Sequence, residues 1–113
     1  MIFDHRTYRC IPGRAAAQLK LYGELAYPTQ IQYLGEPVCW MVTETGPLNS
    51  LVHVWAYDNA ADREQKRARL GKDPAWQHYL VENAKAGHVC DQTTMLMTPA
   101  AFAPKITLQT NLK

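Results

Sequence analysis

The chain has 113 residues, the length of one ordinary domain. Apolar residues make up 47% of it and charged residues 19%, and 12 basic against 10 acidic residues leave a formal charge of +2. This balance excludes a disordered chain and a strongly basic nucleic-acid-binding protein. No apolar run approaches the ~20 residues of a membrane span, and the first residues are charged where a signal peptide is apolar. We therefore expect a soluble cytoplasmic protein with neither a nucleic acid nor a membrane as partner.

The cysteines and histidines show no spacing typical of a metal site. Cys10, Cys39 and Cys90 are odd in number and far apart in the chain. The four histidines include no HxxxH pair, and none lies within ligand spacing of a cysteine. The sequence therefore predicts no disulfide framework and no metal. Glycine is also too scattered for a phosphate-binding loop, so we expect no cofactor.

The first third of the chain predicts a strand and then helix. Ile2 to Cys10 is rich in Phe, Thr and Tyr, as strands are, and Pro12-Gly13 ends it. Good helix formers follow from Arg14 to about Tyr27. One helical stripe there consists of Ala15, Leu19, Tyr22 and Ala26. Pro28 is expected to end or kink this helix, and Gly35 to close the turn of helix that follows.

The remaining elements complete a familiar order. We expect strands at Val38–Thr45 and Ser50–Tyr57, a helix from Asp58 to Gly71, a helix from Asp73-Pro74 to Gly87, and a strand at Val89–Thr98. Aspartate caps each helix start and glycine each helix end. The order β-α-β-β-α-β, with the second helix in two pieces, predicts a ferredoxin-like α+β fold. In that fold, helices cover one face of an antiparallel four-stranded sheet.

Two strands carry apolar residues on both faces. In Ser50–Tyr57 the odd positions are large and mostly aromatic, and the even positions are aliphatic. A sheet covered by helices on one side ordinarily alternates apolar and polar residues, so the second apolar face predicts a partner. We expect the aliphatic set to pack against the helices of the same chain. We expect the aromatic set, with Trp40 beside it, to pack against the sheet of a second subunit. This predicts a homodimer whose sheets face one another.

The end of the chain is treated as an extension. Residues 1–98 form the single predicted domain, and residues 99–113 follow it. Ile106, Leu108 and Leu112 alternate with polar residues, with the two-residue period of a half-buried strand. We expect residues 105–112 to add to a sheet edge, more readily that of the partner subunit than their own; the alternative is a frayed tail.

Several sequence blocks resemble the NIPSNAP family. They are Arg6-Thr7-Tyr8 with Pro12-Gly13, then Leu48-Asn49, then Val52-His53-Val54-Trp55-Ala56-Tyr57-Asp58, then Arg63, Arg67 and Leu70, and finally Asp73-Pro74-Ala75-Trp76 with Tyr79. The resemblance covers about residues 2 to 98. It implies a dimeric α+β barrel, an architecture also used by small monooxygenases and muconolactone-type isomerases, and it implies little about chemistry.

The candidate site follows from the expected strand faces. His53, Trp55 and Tyr57 share one face of their strand, and Arg6 and Tyr8 share one face of the first strand. The proposed ligand-binding set is Arg6, Tyr8, Trp40, His53, Trp55 and Tyr57. In this set the Arg6 guanidinium would bind an anion and the Tyr8 phenol would donate a hydrogen bond. His53 is the best single candidate for a catalytic base. Alternatively, the aromatic residues are dimer core, His53 is an interface residue, and Arg6 pairs with Asp4 or Asp91.

One predicted helix is strongly basic. Its cations are Arg63, Lys66, Arg67, Arg69 and Lys72. A solvated face, with Asp62 and Lys66 paired four residues apart, explains this composition. The family resemblance also allows Arg63 and Arg67 to face an anion. Trp76 and Tyr79 are expected to anchor the next helix to the sheet.

Two functions remain open. The first is a module that binds a small aromatic or acidic ligand, or a partner. The alternative is a cofactor-independent oxygenase or isomerase acting on a small hydrophobic or aromatic ring compound. A cavity lined by His53 and Arg6 would favour the enzyme, and a solid core between facing sheets would favour the module.

Overall fold

The fold is taken from a computed structural model that describes residues 1–106. Its elements are β1 (Ile2–Cys10), α1 (Ala15–Leu25), α2 (Tyr27–Leu34), β2 (Cys39–Val42), β3 (Ser50–Tyr57), α3 (Ala60–Gly71), α4 (Pro74–Ala86) and β4 (Val89–Met97). The predicted element order is therefore confirmed, although β2 is shorter than expected. Lys105 and Ile106 are not in a strand, and the rest of the predicted strand at 105–112 lies outside the described residues. None of the helices in the described range has the length and apolar character needed to cross a bilayer.

The ends of α3 and α4 are capped by polar side chains and glycine as the sequence predicts, except that the residue capping α3 differs from the predicted one. Asn59, and not Asp58, caps α3: its side chain accepts a hydrogen bond from the Asp62 backbone N–H at 2.8 Å. Asp73 caps α4 by accepting from the backbone N–H groups of the next turn, and Gly87 ends that helix at φ 61°. Such a left-handed conformation favours glycine. These caps fix where α3 and α4 begin, and therefore which of their side chains reach the sheet.

The sheet has the strand order β2-β3-β1-β4, with antiparallel pairing throughout. Paired residues lie side by side on one face, so the register defines rows across the sheet. The rows on the helix-covered face are Trp40–His53–Arg6–Thr94, Val42–Leu51–Tyr8–Gln92 and Trp55–Asp4–Leu96, with Tyr57–Ile2 at the end. The rows on the open face are Cys39–Val54–His5–Met95, Met41–Val52–Thr7–Thr93, Ala56–Phe3–Met97 and Ser50–Arg9–Asp91.

The predicted orientation of β3 is wrong. Trp55 and Tyr57 are each 1% exposed within a single chain, where they pack with Leu34 of α2 and Leu70 of α3. The aromatic set therefore faces the helices, and the aliphatic set of Val52, Val54 and Ala56 lies on the open face. The physical reason is volume. Indole and phenol rings fill the space between the sheet and the covering helices better than valine side chains would.

The open face is nevertheless apolar, as the sequence predicts. Met41 and Met95 on its two outer strands are 51% and 52% exposed, and Val52 and Val54 between them are half-buried. The helices α1 to α4 all lie on the other side of the sheet. Apolar side chains, interspersed with His5, Thr7 and Thr93, therefore face away from the core of this chain.

Candidate functional site

A cavity of about 250 Å³ lies between the helix-covered face of the sheet and the helices. Its floor is formed by Arg6 and Tyr8 of β1 and Gln92 of β4. Its walls come from all four helices and consist of Tyr22, Gln30, Arg67, Trp76, Tyr79, Leu80 and Asn83. Two guanidinium groups thus line a small cavity that is otherwise aromatic and amide-bearing. In the described part of the chain, none of the lining residues is acidic.

A buried carboxylate organises the floor of this cavity. Asp4 is completely buried and accepts hydrogen bonds from Arg6 Nε at 3.0 Å and Nη2 at 3.2 Å. Arg63 of α3 donates its Nε to the same carboxylate at 3.0 Å. Asp4 therefore ties β1 to α3 and fixes the Arg6 guanidinium. Arg6 Nη1 lies 3.5 Å from the Tyr8 hydroxyl oxygen at the cavity floor.

The charges at the site do not cancel. Burial alone would raise the pKa of Asp4, but the hydrogen bonds and charges of Arg6 and Arg63 outweigh it and hold that pKa below its usual value. Asp4 is thus ionised at neutral pH and shared between two arginines. Arg67 also lines the cavity, so three guanidinium groups and one carboxylate lie in or beside it, which leaves an excess of positive charge there.

The basic helix is not simply a solvated face. Arg63 is bonded to Asp4 and Arg67 lines the cavity, so for these two residues the solvated-face prediction is wrong. Lys66 pairs with Asp62 at 3.1 Å, as the four-residue spacing predicts, and its Nζ lies 5.9 Å from the Tyr57 ring centroid. The inward cations were visible in the sequence only through the family resemblance.

His53 lies behind the cavity floor. Its ring stacks on Trp40 with centroids 4.7 Å apart and meets the Tyr8 ring edge-on at 4.9 Å. Trp55 Nε1 donates to His53 Nδ1 at 2.6 Å. Burial, assisted by the nearby Arg6 charge, lowers the pKa of His53 to about 3. His53 is therefore a neutral imidazole at physiological pH, held inside an aromatic cluster.

This pKa predicts that stability falls on mild acidification. Between pH 6.5 and 3 the imidazole of the unfolded chain, with its ordinary pKa near 6.5, is protonated, whereas the imidazole of the folded chain is not. Unfolding is therefore increasingly favoured as the pH falls from about 6.5 toward 3. Between pH 6.5 and 4.5 the loss should be about 2 kcal/mol. Urea unfolding across this range should show that slope, and His53→Asn, which retains an acceptor for Trp55, should flatten it. A slope unchanged by His53→Asn would contradict the buried neutral imidazole.

The six site residues predicted from the sequence do come together, but not where they were expected. All of them lie on the helix-covered face, and only Arg6 and Tyr8 line the cavity. Trp40, His53, Trp55 and Tyr57 form the aromatic layer behind or beside it. Trp76 and Tyr79 anchor α4, as predicted, and they also form a cavity wall, with ring centroids 5.2 Å apart. Gln30, Asn83 and Gln92 carried no signal in the sequence.

A second, larger cavity has a different character. It encloses about 400 Å³ between the start of β1 and residues 99–106, and its lining is Met1, Phe3, alanines, prolines, Ile106 and Lys105. It holds few groups that would orient a ligand, whereas the smaller cavity combines charge, amides and rings. Elsewhere in residues 1–106, no group of three or more His, Cys, Asp or Glu side chains is arranged to hold a metal ion. The smaller cavity is therefore the candidate site.

The fold defines a ferredoxin-like α+β protein with a cavity between sheet and helices, and known proteins share this architecture. A crystal structure from Agrobacterium tumefaciens is 35% identical with a TM-score of 0.85 and covers 94% of this chain and 100% of that one. A NIPSNAP domain protein from Burkholderia xenovorans is 32% identical, also with a TM-score of 0.85, over 93% and 100% of the two chains. An antibiotic biosynthesis monooxygenase, 19% identical with a TM-score of 0.60, shares the fold alone.

The family is settled by the match to the NIPSNAP model over residues 3–104. This chain belongs to the NIPSNAP family. The mouse NipSnap homolog 3B is 42% identical over 87 residues, which are 72% of this chain and 33% of that protein. The human NipSnap homolog 3A is 42% identical over 45 residues, which are 39% of this chain and 18% of that protein. The chain thus spans only a third or less of these curated relatives.

Proposed function

We propose that this protein is a binding module for a small organic anion with an aromatic body, held in the cavity between sheet and helices. The observation that carries this proposal is Arg67. Its half-buried guanidinium lines the cavity and has no carboxylate partner within residues 1–106. Arg6 is committed to Asp4, so Arg67 is the cation best placed to meet a ligand carboxylate. A guanidinium binds a carboxylate with two parallel hydrogen bonds, and such charged bonds are strong.

The walls and the size of the cavity support a single-ring ligand. Tyr22, Trp76 and Tyr79 offer ring surfaces on which a flat apolar body would pack. At about 250 Å³ the cavity lies below the roughly 300–1,000 Å³ range of pockets for drug-sized ligands. A small aromatic acid fits both the chemistry and the volume.

The surroundings of the cavity favour binding over catalysis. A cofactor-independent oxygenase or isomerase would use a proton-transfer group in contact with its substrate. His53, the residue that the sequence favours for this role, lies behind the Tyr8 and Tyr22 rings, and its Nδ1 accepts from Trp55. A pKa of about 3 also makes it a weak base at neutral pH. Without His53, the residues that line the cavity are suited to binding and orienting a ligand.

Arg67→Gln tests the site. Benzoate is the probe, and we expect it to raise the melting temperature of the parent protein by mass action. Arg67→Gln should weaken benzoate binding about 10- to 100-fold, because a hydrogen bond to a charged group contributes roughly 1.5–3 kcal/mol. Arg69→Gln is the matched control: it removes an arginine from the same helix that lies over Tyr33, 5.9 Å from the ring centroid. Isothermal titration calorimetry gives the affinities. Equal affinity in both variants, or no binding of benzoate to the parent, would overturn the proposal.

We further propose that the module is a homodimer joined through its open sheet faces. The support is the exposure of Met41 and Met95 on the open face beside the half-buried Val52 and Val54, since clustered exposed apolar side chains mark association sites. A two-fold axis would place this patch against itself, and its apolar rows suit a second copy better than a charged partner. Three free cysteines suit the reducing cytoplasm, where we expect the protein to act.

A further inference from the structure

Arg6 uses only one edge of its guanidinium to bind Asp4. Its Nε and Nη2 donate to the two carboxylate oxygens at 3.0 Å and 3.2 Å. Its Nη1 lies 3.5 Å from the Tyr8 hydroxyl oxygen, at the long limit for a hydrogen bond. Arg6 and Tyr8 both line the cavity. The Nη1 hydrogens, with the Tyr8 hydroxyl hydrogen beside them, can therefore donate to an anion in the cavity.

Arg67 brings a second guanidinium to the same cavity. Arg63 and Arg67 are four residues apart on α3, so their side chains leave one face of that helix with Cβ atoms about 5–6 Å apart. Arg63 binds Asp4, the carboxylate that Arg6 also binds, and this shared partner holds that face of α3 beside Arg6. The cavity is thus lined by one guanidinium from β1 and one from α3.

One carboxylate is too few to balance these cations. Asp4 is fully buried and is shared between Arg6 and Arg63, while Arg67 has no carboxylate partner within residues 1–106. Two positive charges in or beside the cavity are therefore uncompensated by the described part of the chain. Charges removed from water are costly unless they are paired, so the cavity favours a ligand that supplies negative charge. A ligand with one negative charge would balance only half of the excess.

We infer that the ligand is a dianion, a single-ring aromatic compound that carries two negative charges on oxygen atoms. This inference rests on the proposed function and adds the second charge. One charge meets the Arg67 guanidinium, and the other meets Arg6 Nη1 and the Tyr8 hydroxyl. Guanidinium groups bind carboxylate and phosphate-type oxygens alike through paired hydrogen bonds. The two charges can therefore belong to one phosphonate-like group or to two carboxylates of one ring, and the experiment distinguishes these sources.

The first pair of probes is phenylphosphonate and benzenesulfonate. Each has a single ring and a tetrahedral group with three oxygens, but at about pH 8.5 the phosphonate carries two negative charges and the sulfonate one. In calorimetric titrations at this pH, the parent protein should bind phenylphosphonate about tenfold more tightly, because a hydrogen bond between charged groups contributes at least this much.

The second pair separates the two sources of charge. Each isomer of phthalate is compared with the methylbenzoate of the same substitution pattern, which has a similar shape and one charge. A preference for a phthalate alone supports the inference with the charges on two groups. A preference for phenylphosphonate alone supports it with both charges on one group.

The charge of phenylphosphonate can also be changed without altering the protein. At about pH 6 it is mostly a monoanion, whereas benzenesulfonate keeps its single charge. The groups around the cavity do not change charge over this range: the arginines stay protonated, the pKa of Asp4 is held below 3.8 by its arginine partners, and the pKa of His53 is about 3. Burial raises the pKa of Tyr22 and of Tyr79, so both stay neutral. The preference for phenylphosphonate should therefore fall from about tenfold to about twofold.

Arg6→Lys tests the second contact. Lysine keeps a positive charge beside Asp4 but lacks the Nη1 donors, so the preference for phenylphosphonate at about pH 8.5 should fall to about threefold. Arg63→Lys is the matched control. It makes the same exchange at the other arginine bound to Asp4, which does not line the cavity, and it should keep the tenfold preference. An equal loss of preference in both variants would show that the Asp4 pairing sets it, and the inference would fail.

The outcomes separate this inference from the proposed function. Arg67→Gln should weaken the binding of monoanions and dianions alike. If monoanions bind as tightly as dianions in an Arg67-dependent way, the inference fails and the anion site stands. An unchanged preference for phenylphosphonate between about pH 8.5 and pH 6 would also overturn the inference, and this measurement on the parent protein decides it even if Arg6→Lys fails to fold. If no anion binds, both proposals fail.

Discussion

Replacing Asp4 by asparagine is expected to lower the free energy of unfolding by about 3 kcal/mol, because it leaves two arginines facing a group without charge. Asp4 is fully buried, while the side chains of Arg6 and Arg63 are 13% and 25% exposed. Because the arginines can turn partly toward water, the decrease in the free energy of unfolding should lie at the lower end of the range for broken buried ion pairs. Loss of the bond between β1 and α3 should also loosen the cavity floor. Urea unfolding followed by circular dichroism measures the change.

A matched substitution separates burial from charge. Glu82→Gln removes the same charge from an exposed pair with Lys85, in which the nitrogen and oxygen lie 3.6 Å apart. This control should cost less than about 0.5 kcal/mol, as exposed pairs do. The depressed pKa of Asp4 adds a pH signature. The stability that Asp4 contributes is present at neutral pH and is lost as the pH falls below its ordinary value of 3.8, a fall that Asp4→Asn should remove. Equal effects of the two substitutions would show that Asp4 does not hold β1 to α3.

Replacing Met95 by aspartate is expected to dissociate the proposed dimer. Met95 is 52% exposed on the open sheet face, so the folded monomer tolerates a charge there, but a facing sheet would bury it. Two symmetry-related carboxylates would then lie in one apolar interface. The dissociation constant should rise at least about hundredfold, measured by analytical ultracentrifugation over a concentration series. Met41→Asp on the opposite edge of the same face should act in the same way.

The control for this change lies on the helical layer. Val81 of α4 is also 52% exposed, so Val81→Asp introduces the same charge at equal exposure on the other side of the molecule. It should leave the association unchanged. A parent protein that sediments as a monomer, or a Met95→Asp protein that remains a dimer, would contradict the sheet-to-sheet arrangement.

Trp55→Asp is expected to act on folding and not on the proposed dimer interface, because Trp55 is 1% exposed within a single chain. Trp55 packs inside one chain against Leu34 and Leu70. We expect aspartate there to unfold the domain, because it would bury an unpaired charge in the core. A folded Trp55→Asp monomer would contradict the observed side-chain orientation. The measurement is the far-ultraviolet circular dichroism spectrum together with soluble yield.

The sequence by itself determined the elements and their order. Strand β1 and strand β3 begin and end at the predicted residues, and α4 begins at Pro74 and ends before Gly87, because these boundaries depend on short-range chemistry. The alternation in β3 also established that both faces of this strand carry apolar side chains. The pairing of Lys66 with Asp62 followed from helical spacing alone.

Only the tertiary structure decided which face of the sheet lies against the helices and where the cavity is. Alternation separates the side chains of β3 into two sets, but it does not say which set is covered; that depends on whether indole or valine fills the space beneath α2 and α3. The cavity is likewise built by residues far apart in the chain, such as Arg6, Arg67 and Asn83. Asp4 shows the reason most plainly, since a carboxylate two residues before Arg6 is an ordinary strand residue until the fold brings Arg63 to within 3.0 Å of it. Local propensity acts over a few residues, whereas charge balance and cavity shape depend on contacts across the whole domain.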